Sequence, residues 1–355
     1  MRQTNKIRKG IAWLLCTVLV LGILPMLPQM SMQISAAENA ASVFVDGVEL
    51  HAGGKKYFKN GDTADSGATG TDEDHSAYYD TAGELWLNNL EAHTIKANGN
   101  LTIYVCNNQE TNTNIVTATQ NETAIEVTGY LTIQYGGYGE TGSLTVESDG
   151  KEAIQAGSGM TVSDGVEVKV RAKSGATAIS SGGVLKIDGI RTKLEAASDG
   201  STGKGIFAQQ SIYVKNSAVL TAFGGAAAYE SPSGIDKSGY GYEDYNVFTG
   251  DAAPGTQAAK DTALDGYKYI RIEPTGVANV KTLTELQAAA QNQYISLINV
   301  MNDITITDTV YVRRAVTIQS PDVSNVSKLI RGKSHTDVIP VSYTHLRAHE
   351  TGAYL

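Results

Sequence analysis

Six carboxylates crowd a Gly-, Ser- and Thr-rich stretch: Asp62, Asp65, Asp72, Glu73, Asp74 and Asp80. Oxygen ligands on a pliant backbone are what a hard cation such as Ca²⁺ takes, and Asp62, Asp65, Asp72 and Asp74 are the candidate ligands. The spacing is not that of an EF-hand, and a solvated polar loop accounts for the same composition. Asp164 and Asp188 hold similar places in successive repeats, where stacked carboxylates can act as an acid/base pair or share a cation. Each also precedes a glycine, and an Asp-Gly corner explains both without chemistry. Lys186 and Arg191 stand near them in sequence as candidate bases, with no surrounding motif.

Tyrosine is the favoured aromatic, with 18 residues against 5 Phe and 2 Trp, so any role for rings falls first to tyrosine. Tyr135 and Tyr138, with Tyr130, flank one Gly-rich loop; Tyr240, Tyr242 and Tyr245 flank another. Such rings can stack on the apolar face of a sugar while their hydroxyls bond to it. The alternative is that they pack down and brace the loops. Cys106 has no histidine near it in sequence, and a small apolar strand position explains it better than a nucleophile. His345 and His349 with Glu350 have the spacing of two ligands on one helix face, but not the order of the zinc-protease motif.

The ends of the chain read as processing signals. Arg2, Lys6, Arg8 and Lys9 precede the uncharged apolar run Ile11 to Leu27, and Ser35-Ala36-Ala37 offers a cleavage site. That is the grammar of a secretory signal over residues 1–37, and Pro25 and Pro28 argue against an anchor helix. Its removal takes away four basic side chains and no acidic one, moving the formal net charge from −9 to −13. An acidic chain repels phosphate backbones, which excludes nucleic acid as an expected partner. Only Cys106 then remains, so no internal disulfide forms and stability must come from packing. No membrane span is expected after cleavage.

The elements that would position these residues repeat. An apolar-x-apolar triplet recurs at Leu101–Ile103, Leu131–Ile133, Met160–Val162, Leu185–Ile187 and Ile212–Val214, in steps of 30, 29, 25 and 27 residues. A second apolar column follows: Leu144 and Val146, then Val166, Val168 and Val170, then Leu194, then Val219. A third is Ala124-Ile125, Ala153-Ile154, Ala178-Ile179 and Gly205-Ile206. Period-two alternation marks short strands with one face inside. Three such strands per repeat form the sides of a coil, and stacked coils place like residues above like at about 4.8 Å. Asp149-Gly150, Asp164-Gly165, Gly182-Gly183, Asp188-Gly189 and Asp199-Gly200 supply the corners. The expected fold is all-β, a right-handed parallel β-helix over residues 38–275.

Two further segments carry a resemblance. Val43 to Leu50 reads as a hairpin around Asp46-Gly47, followed by Tyr57-Phe-Lys-Asn-Gly-Asp62, the strand Glu84 to Leu90, and a closing strand Tyr267 to Pro274. This order resembles β-helical surface proteins of Gram-positive gut bacteria labelled carbohydrate-binding, and implies their fold. After Pro274, Thr282-Leu-Thr-Glu285 forms a capping box for a short helix with Leu283, Leu286, Ala289 and Ala290 on its apolar face. Strands are expected at 295–300, 304–307, 310–312 and 316–318. A helix followed by stacked strands resembles the cap and first coils of pectin-lyase-like β-helix domains, here residues 276–340. Val341 to Thr351 resembles a translated sequencing adapter, so residues 341–355 are expected to be a non-native tail, with the natural C-terminus beyond.

The expected function is that of a secreted or cell-surface protein binding polysaccharide or host-surface glycans without catalysis, like an adhesin. Tyr135, Tyr138, Tyr240, Tyr242 and Tyr245 are its candidate contacts, and Ca²⁺ is its one candidate cofactor. The alternatives are a polysaccharide lyase or glycoside hydrolase of pectin-lyase-like fold with its catalytic residues further on, and a structural stalk.

Overall fold

The computed structural model describes residues 38–51, 56–61, 75–106, 113–119, 121–137, 141–236, 241, 243–312, 314–321 and 326–331. The expected signal at 1–37, the candidate Ca²⁺ ligands Asp62, Asp65, Asp72 and Asp74, the rings of Tyr138, Tyr240 and Tyr242, and the tail at 341–355 lie outside these residues.

The fold is a parallel β-helix. Sheet A stacks Ile95–Ala97, Ile125–Val127, Ile154–Ala156, Ile179–Ser181, Lys204–Ala208 and Ala227–Glu230. Sheet B stacks Glu84–Asn88, Leu101–Cys106, Tyr130–Tyr135, Gly159–Ser163, Val184–Asp188, Ile212–Lys215 and Ile235–Asp236. Sheet C stacks Glu91–Ala92, Asn114–Ala118, Gly142–Asp149, Val166–Lys173, Lys193–Ser198 and Val219–Gly224. The chain visits A, B and C in turn, and every coil-to-coil pairing in these columns is parallel.

The expected columns set the register. Leu101, Leu131, Met160, Leu185 and Ile212 are successive partners, as are Ile103, Ile133, Val162, Ile187 and Val214. Ile125, Ile154, Ile179 and Ile206 form the column in sheet A, which also runs back to Ile95. All of these are essentially inaccessible to solvent. In sheet C the column runs Leu144, Val168, Leu194 and then Leu220, not Val219. Val219 pairs with Lys193 and is only half-buried. The phase is set by the preceding turn, where Asn216 (φ 51°) and Ser217 (φ 62°) are both left-handed. In the first coil the inward place opposite Leu144 is taken by Asn114. It is fully buried, accepting from Leu90 N–H at 3.0 Å and donating to the carbonyls of Cys106 and Ser143, so its polar groups are satisfied without water.

Corners of adjacent coils touch backbone to backbone. A Cβ at Gly182 would lie 1.9 Å from the Gly157 carbonyl oxygen, so only glycine lets these two coils close. The N-terminal edge is finished by antiparallel strands. Ser42–Val45 and Val48–His51 form the expected hairpin, and its first strand pairs antiparallel with Ile95–Ala97. Ala77–Tyr79 and Lys56–Phe58 extend sheet B likewise. At the other end the long strand Tyr269–Val280 runs antiparallel to Val219–Gly224 and to Glu243–Gly250.

The second half of that long strand pairs parallel with Leu297–Val300, which pairs with Thr317–Gln319. Helix α1 (Leu283–Gln291) has the expected capping box: Thr282 Oγ1 accepts from Glu285 N–H at 3.2 Å, and Glu285 accepts from Thr282 N–H at 3.1 Å. Leu286, Ala289 and Ala290 face a small core with Ile298, Val300 and Ile304. Residues 310–312 are not a strand, contrary to expectation. Val310 packs into this core, but the segment makes no ladder, and Ile304–Ile306 pairs instead with Leu329–Arg331. Among the described residues no helix is long and apolar enough to cross a membrane.

Candidate binding site

The outer face of sheet B carries an aromatic ladder. Trp86 stands opposite Tyr104 on one side and Tyr78 on the other. The Trp86 and Tyr104 rings stack at 4.1 Å with planes 10° apart, and Tyr78 and Trp86 at 5.8 Å and 3°. His75 meets Tyr78 edge-on at 4.9 Å, and Tyr57 lies 4.7 Å from His75. Asp80 fixes the ladder from below: one oxygen accepts from Ala82 and Glu84 N–H, and the other accepts from Trp86 Nε1 at 3.1 Å. Tyr104 donates to Glu84 at 3.3 Å. Because Trp86 stacks between Tyr78 and Tyr104, the ladder braces the first coils, while all three rings remain partly exposed. Sequence reasoning took Glu84 to Leu90 only as a strand. The signal for it in the sequence is the aromatic pair Trp86 and Tyr104 at matching outward positions of successive coils.

Of the five predicted tyrosines, Tyr135 and Tyr245 lie among the described residues. Tyr135 and Tyr245 are both half-buried and pack against the main core. The ring of Tyr135 lies so close to Gly137 and Gly142 that a Cβ at either would meet it within 2.9 Å. Burial raises the hydroxyl pKa of Tyr245 above its ordinary value, with Asp261 adding to the effect. Tyr130 reaches the hydroxyl of Thr161 at 2.7 Å in the next coil.

Asp164 and Asp188 are not register partners. Asp188 stands opposite Ser163. Asp164 sits in the left-handed corner at φ 58° and accepts from Ser163 Oγ at 3.0 Å. Asp188 is held by Lys186 at 2.5 Å and by Asn216 Nδ2 at 2.6 Å. Arg191 donates through Nε to Tyr294 Oη at 2.6 Å and through Nη2 to Gln293 Oε1 at 3.3 Å. Burial pushes the Cys106 thiol up to about 11, which leaves it protonated and weakly nucleophilic at neutral pH. Among the described residues no group of three or more His, Cys, Asp or Glu is placed to hold a metal.

Two adjoining grooves lie where the N-terminal hairpin folds onto the first coil. One, of about 430 Å³, is lined by Phe44, Asp46, Gly47, His93, Thr94, Lys96 and Glu122. The other, of about 820 Å³, shares Asp46 and His93 and adds Phe58, Asn60, Glu91, Ile115, Thr117 and Thr119 among its walls. Asp46 is the hinge between them. Its Oδ1 accepts from the N–H groups of His93 at 2.7 Å and Thr94 at 2.8 Å, and its Oδ2 lies 3.4 Å from His93 Nδ1. Asn60 holds the second wall by accepting from Glu91 N–H at 2.9 Å and donating to the Asn89 carbonyl at 2.8 Å. Phe44 is exposed, and Lys96 pairs with Glu122 at 3.7 Å. Both volumes fall in the range of small-molecule sites, and the mix of ring, hydroxyl and charge suits a polar ligand with one apolar face.

Residues 277–349 match a family model described as "Putative pectate lyase-like adhesive domain". The match begins on the parallel half of strand Tyr269–Val280 and takes in α1 and the strands after it. It covers well under half of the chain, and the main stack lies before it. No curated protein and no solved structure matches the chain. The family match and the stacked parallel sheets together fit a pectin-lyase-like β-helix of adhesin-like character.

Proposed function

We propose that this chain is an exported surface protein that binds saccharides on a host or neighbouring surface and does not cleave them. The observation that carries this reading is the adhesive-domain match at 277–349, joined to the main stack through one continuous strand, Tyr269–Val280. The tyrosine loops around residues 135–138 and 240–245 and the acidic loop at 62–74 remain part of the proposal, the second as a Ca²⁺ site that would stiffen the loop. Export follows from the basic, apolar and small-residue order of residues 1–37.

The test is retention of the full chain on immobilised neutral and acidic polysaccharides, with and without Ca²⁺, alongside a count of reducing ends in the same wells. Retention without new ends is the expected result. New ends would make the chain a polysaccharide-cleaving enzyme, and no retention on any polymer would leave it a stalk.

A further inference from the structure

Several outward positions of the stack are paired with neighbours. In sheet C, Glu147 pairs with Lys173 at 3.0 Å, Arg171 with Asp199 at 2.8 Å, and Glu167 with both Lys169 and Lys193. In sheet B the rings stack on each other. The hairpin end differs. Phe44, 39 % exposed, sits in an outward row between Glu49 and Lys96, with open groove beside it and no ring stacked on it among the described residues.

The groove is also rigid. Its hinge carboxylate, Asp46, is tied by two backbone N–H groups from the first coil, and the hairpin strand carrying Phe44 is hydrogen-bonded into sheet A. The His93 side chain, 70 % exposed, stands over both grooves. A rigid wall loses little entropy when a ligand is bound.

Charge narrows the ligand. Asp46, Glu91 and Glu122 line the two grooves against one lysine and one imidazole, in a chain of net charge −9. A uronate or sulfated sugar would bring like charge to three carboxylates, whereas the hydroxyls of a neutral sugar can donate to them and accept from Lys96. Thr117 and Thr119 offer further hydroxyls along the second groove, over the apolar floor of Phe58, Ala92 and Ile115.

We infer that the paired grooves at the hairpin are a neutral-saccharide site, with a sugar ring laid on Phe44 and its hydroxyls bonded to Glu122 and Lys96. This rests on the saccharide-binding reading above and gives it a place and a ligand class. The experiment is titration calorimetry of the full chain with cellohexaose, maltohexaose and xylohexaose as neutral probes, and hexagalacturonate as the anionic one. Wild type is compared with Phe44→Ala, Glu122→Gln and, as a distant control, Lys169→Ala. Phe44 and Glu122 have exposed side chains outside the core, so their variants keep the fold, which circular dichroism verifies. The expected result is binding of at least one neutral probe, weakened about tenfold or more by Phe44→Ala and less by Glu122→Gln, and unmoved by Lys169→Ala. Neutral-probe binding that survives Phe44→Ala overturns the site while leaving saccharide binding intact. Binding of hexagalacturonate alone overturns the ligand class. Binding of none of the four overturns the inference, and the function falls with it only if retention on polymers fails too.

Discussion

The polar cluster that joins the main stack to the α1 block makes a quantitative prediction. Glu243 is only 6 % exposed, and among the described residues its side chain is held by Ser217 and Asn292 and not by a cation. Its Oε2 accepts from Ser217 Oγ at 2.8 Å and its Oε1 from Asn292 Nδ2 at 2.9 Å; Asn292 Nδ2 also reaches Ser217 Oγ at 2.9 Å. Asn292 is the C-cap of α1, and its Oδ1 accepts from Tyr294 N–H at 3.0 Å. Burial raises the Glu243 pKa above 4.5, and the bonds from Ser217 and Asn292 pull it back only in part. A raised folded-state value means the native state holds its proton longer than the unfolded chain does. The group's contribution is therefore whole below pH 4.5 and is lost as pH rises through the folded value. Asn292→Ala removes a donor from a buried carboxylate and an acceptor from a backbone N–H, a loss of about 2–3 kcal/mol at pH 7. Glu243→Gln keeps the network, since its amide can donate to Ser217 and accept from Asn292; it changes stability by no more than about 1 kcal/mol and flattens the pH slope above 4.5. Urea unfolding of both variants between pH 4.5 and 7.5 decides the matter. A wild-type pH slope unchanged in Glu243→Gln, or an Asn292→Ala protein as stable as wild type at pH 7, would refute the reasoning.

Thr282→Ala removes the oxygen that caps α1 and should cost about 1 kcal/mol, seen as faster amide exchange at Glu285 with the main stack unaffected. Ile133→Ala opens a cavity between Ile103 and Val162 and should cost about 3 kcal/mol in urea unfolding. Gly182→Ala drives a methyl into the Gly157 carbonyl and should lower the melting temperature more than Gly47→Ala, where only the φ of 79° resists and nothing lies within 4 Å. Trp86→Ala separates Tyr78 from Tyr104 and should cost about 2 kcal/mol, while an unshifted near-ultraviolet dichroism signal would argue that the rings are not stacked in solution.

The inward face was legible in the sequence because it obeys one rule. A side chain that points in must be apolar, and a stacked coil must repeat it at the same register, so Leu131, Met160 and Leu185 announce one another. The rule fails where a coil departs from it for a stated reason. Asn114 replaces an aliphatic residue because two carbonyls and an N–H are there to satisfy it, which hides the first coil's member of the second apolar column although its triplet Leu101–Ile103 is plain. Val219 and Leu220 are equally apolar, and alternation alone cannot say which points in; two left-handed residues just before them decide it. The grooves were not legible, since residues 44–46, 60, 93–96 and 115–122 meet only because an antiparallel hairpin is laid on the first coil.

The same geometry says where binding can reside. In a parallel stack each outward residue has an outward neighbour above and below it, at about 4.8 Å, so outward side chains can pair among themselves before they meet a ligand. Opposite charges then pair across coils, as Lys173 does with Glu147, and rings stack, as Trp86 does with Tyr104. A surface so matched presents little unsatisfied chemistry. The matching breaks where the regular stack stops. At the hairpin, the strand running antiparallel to Ile95–Ala97 places Phe44 over Lys96 instead of over a like residue, and the backbone turn at Asp46-Gly47 leaves open volume beside it. A β-helix that binds should therefore do so at such interruptions, its regular faces serving to hold them apart and rigid. Removing both contacts, with Phe44→Thr and Glu122→Gln together, should abolish neutral-sugar binding without lowering stability by more than about 1 kcal/mol. Calorimetry and urea unfolding of that double variant would separate the two effects, and sugar binding that persisted would send the search back to the tyrosine loops.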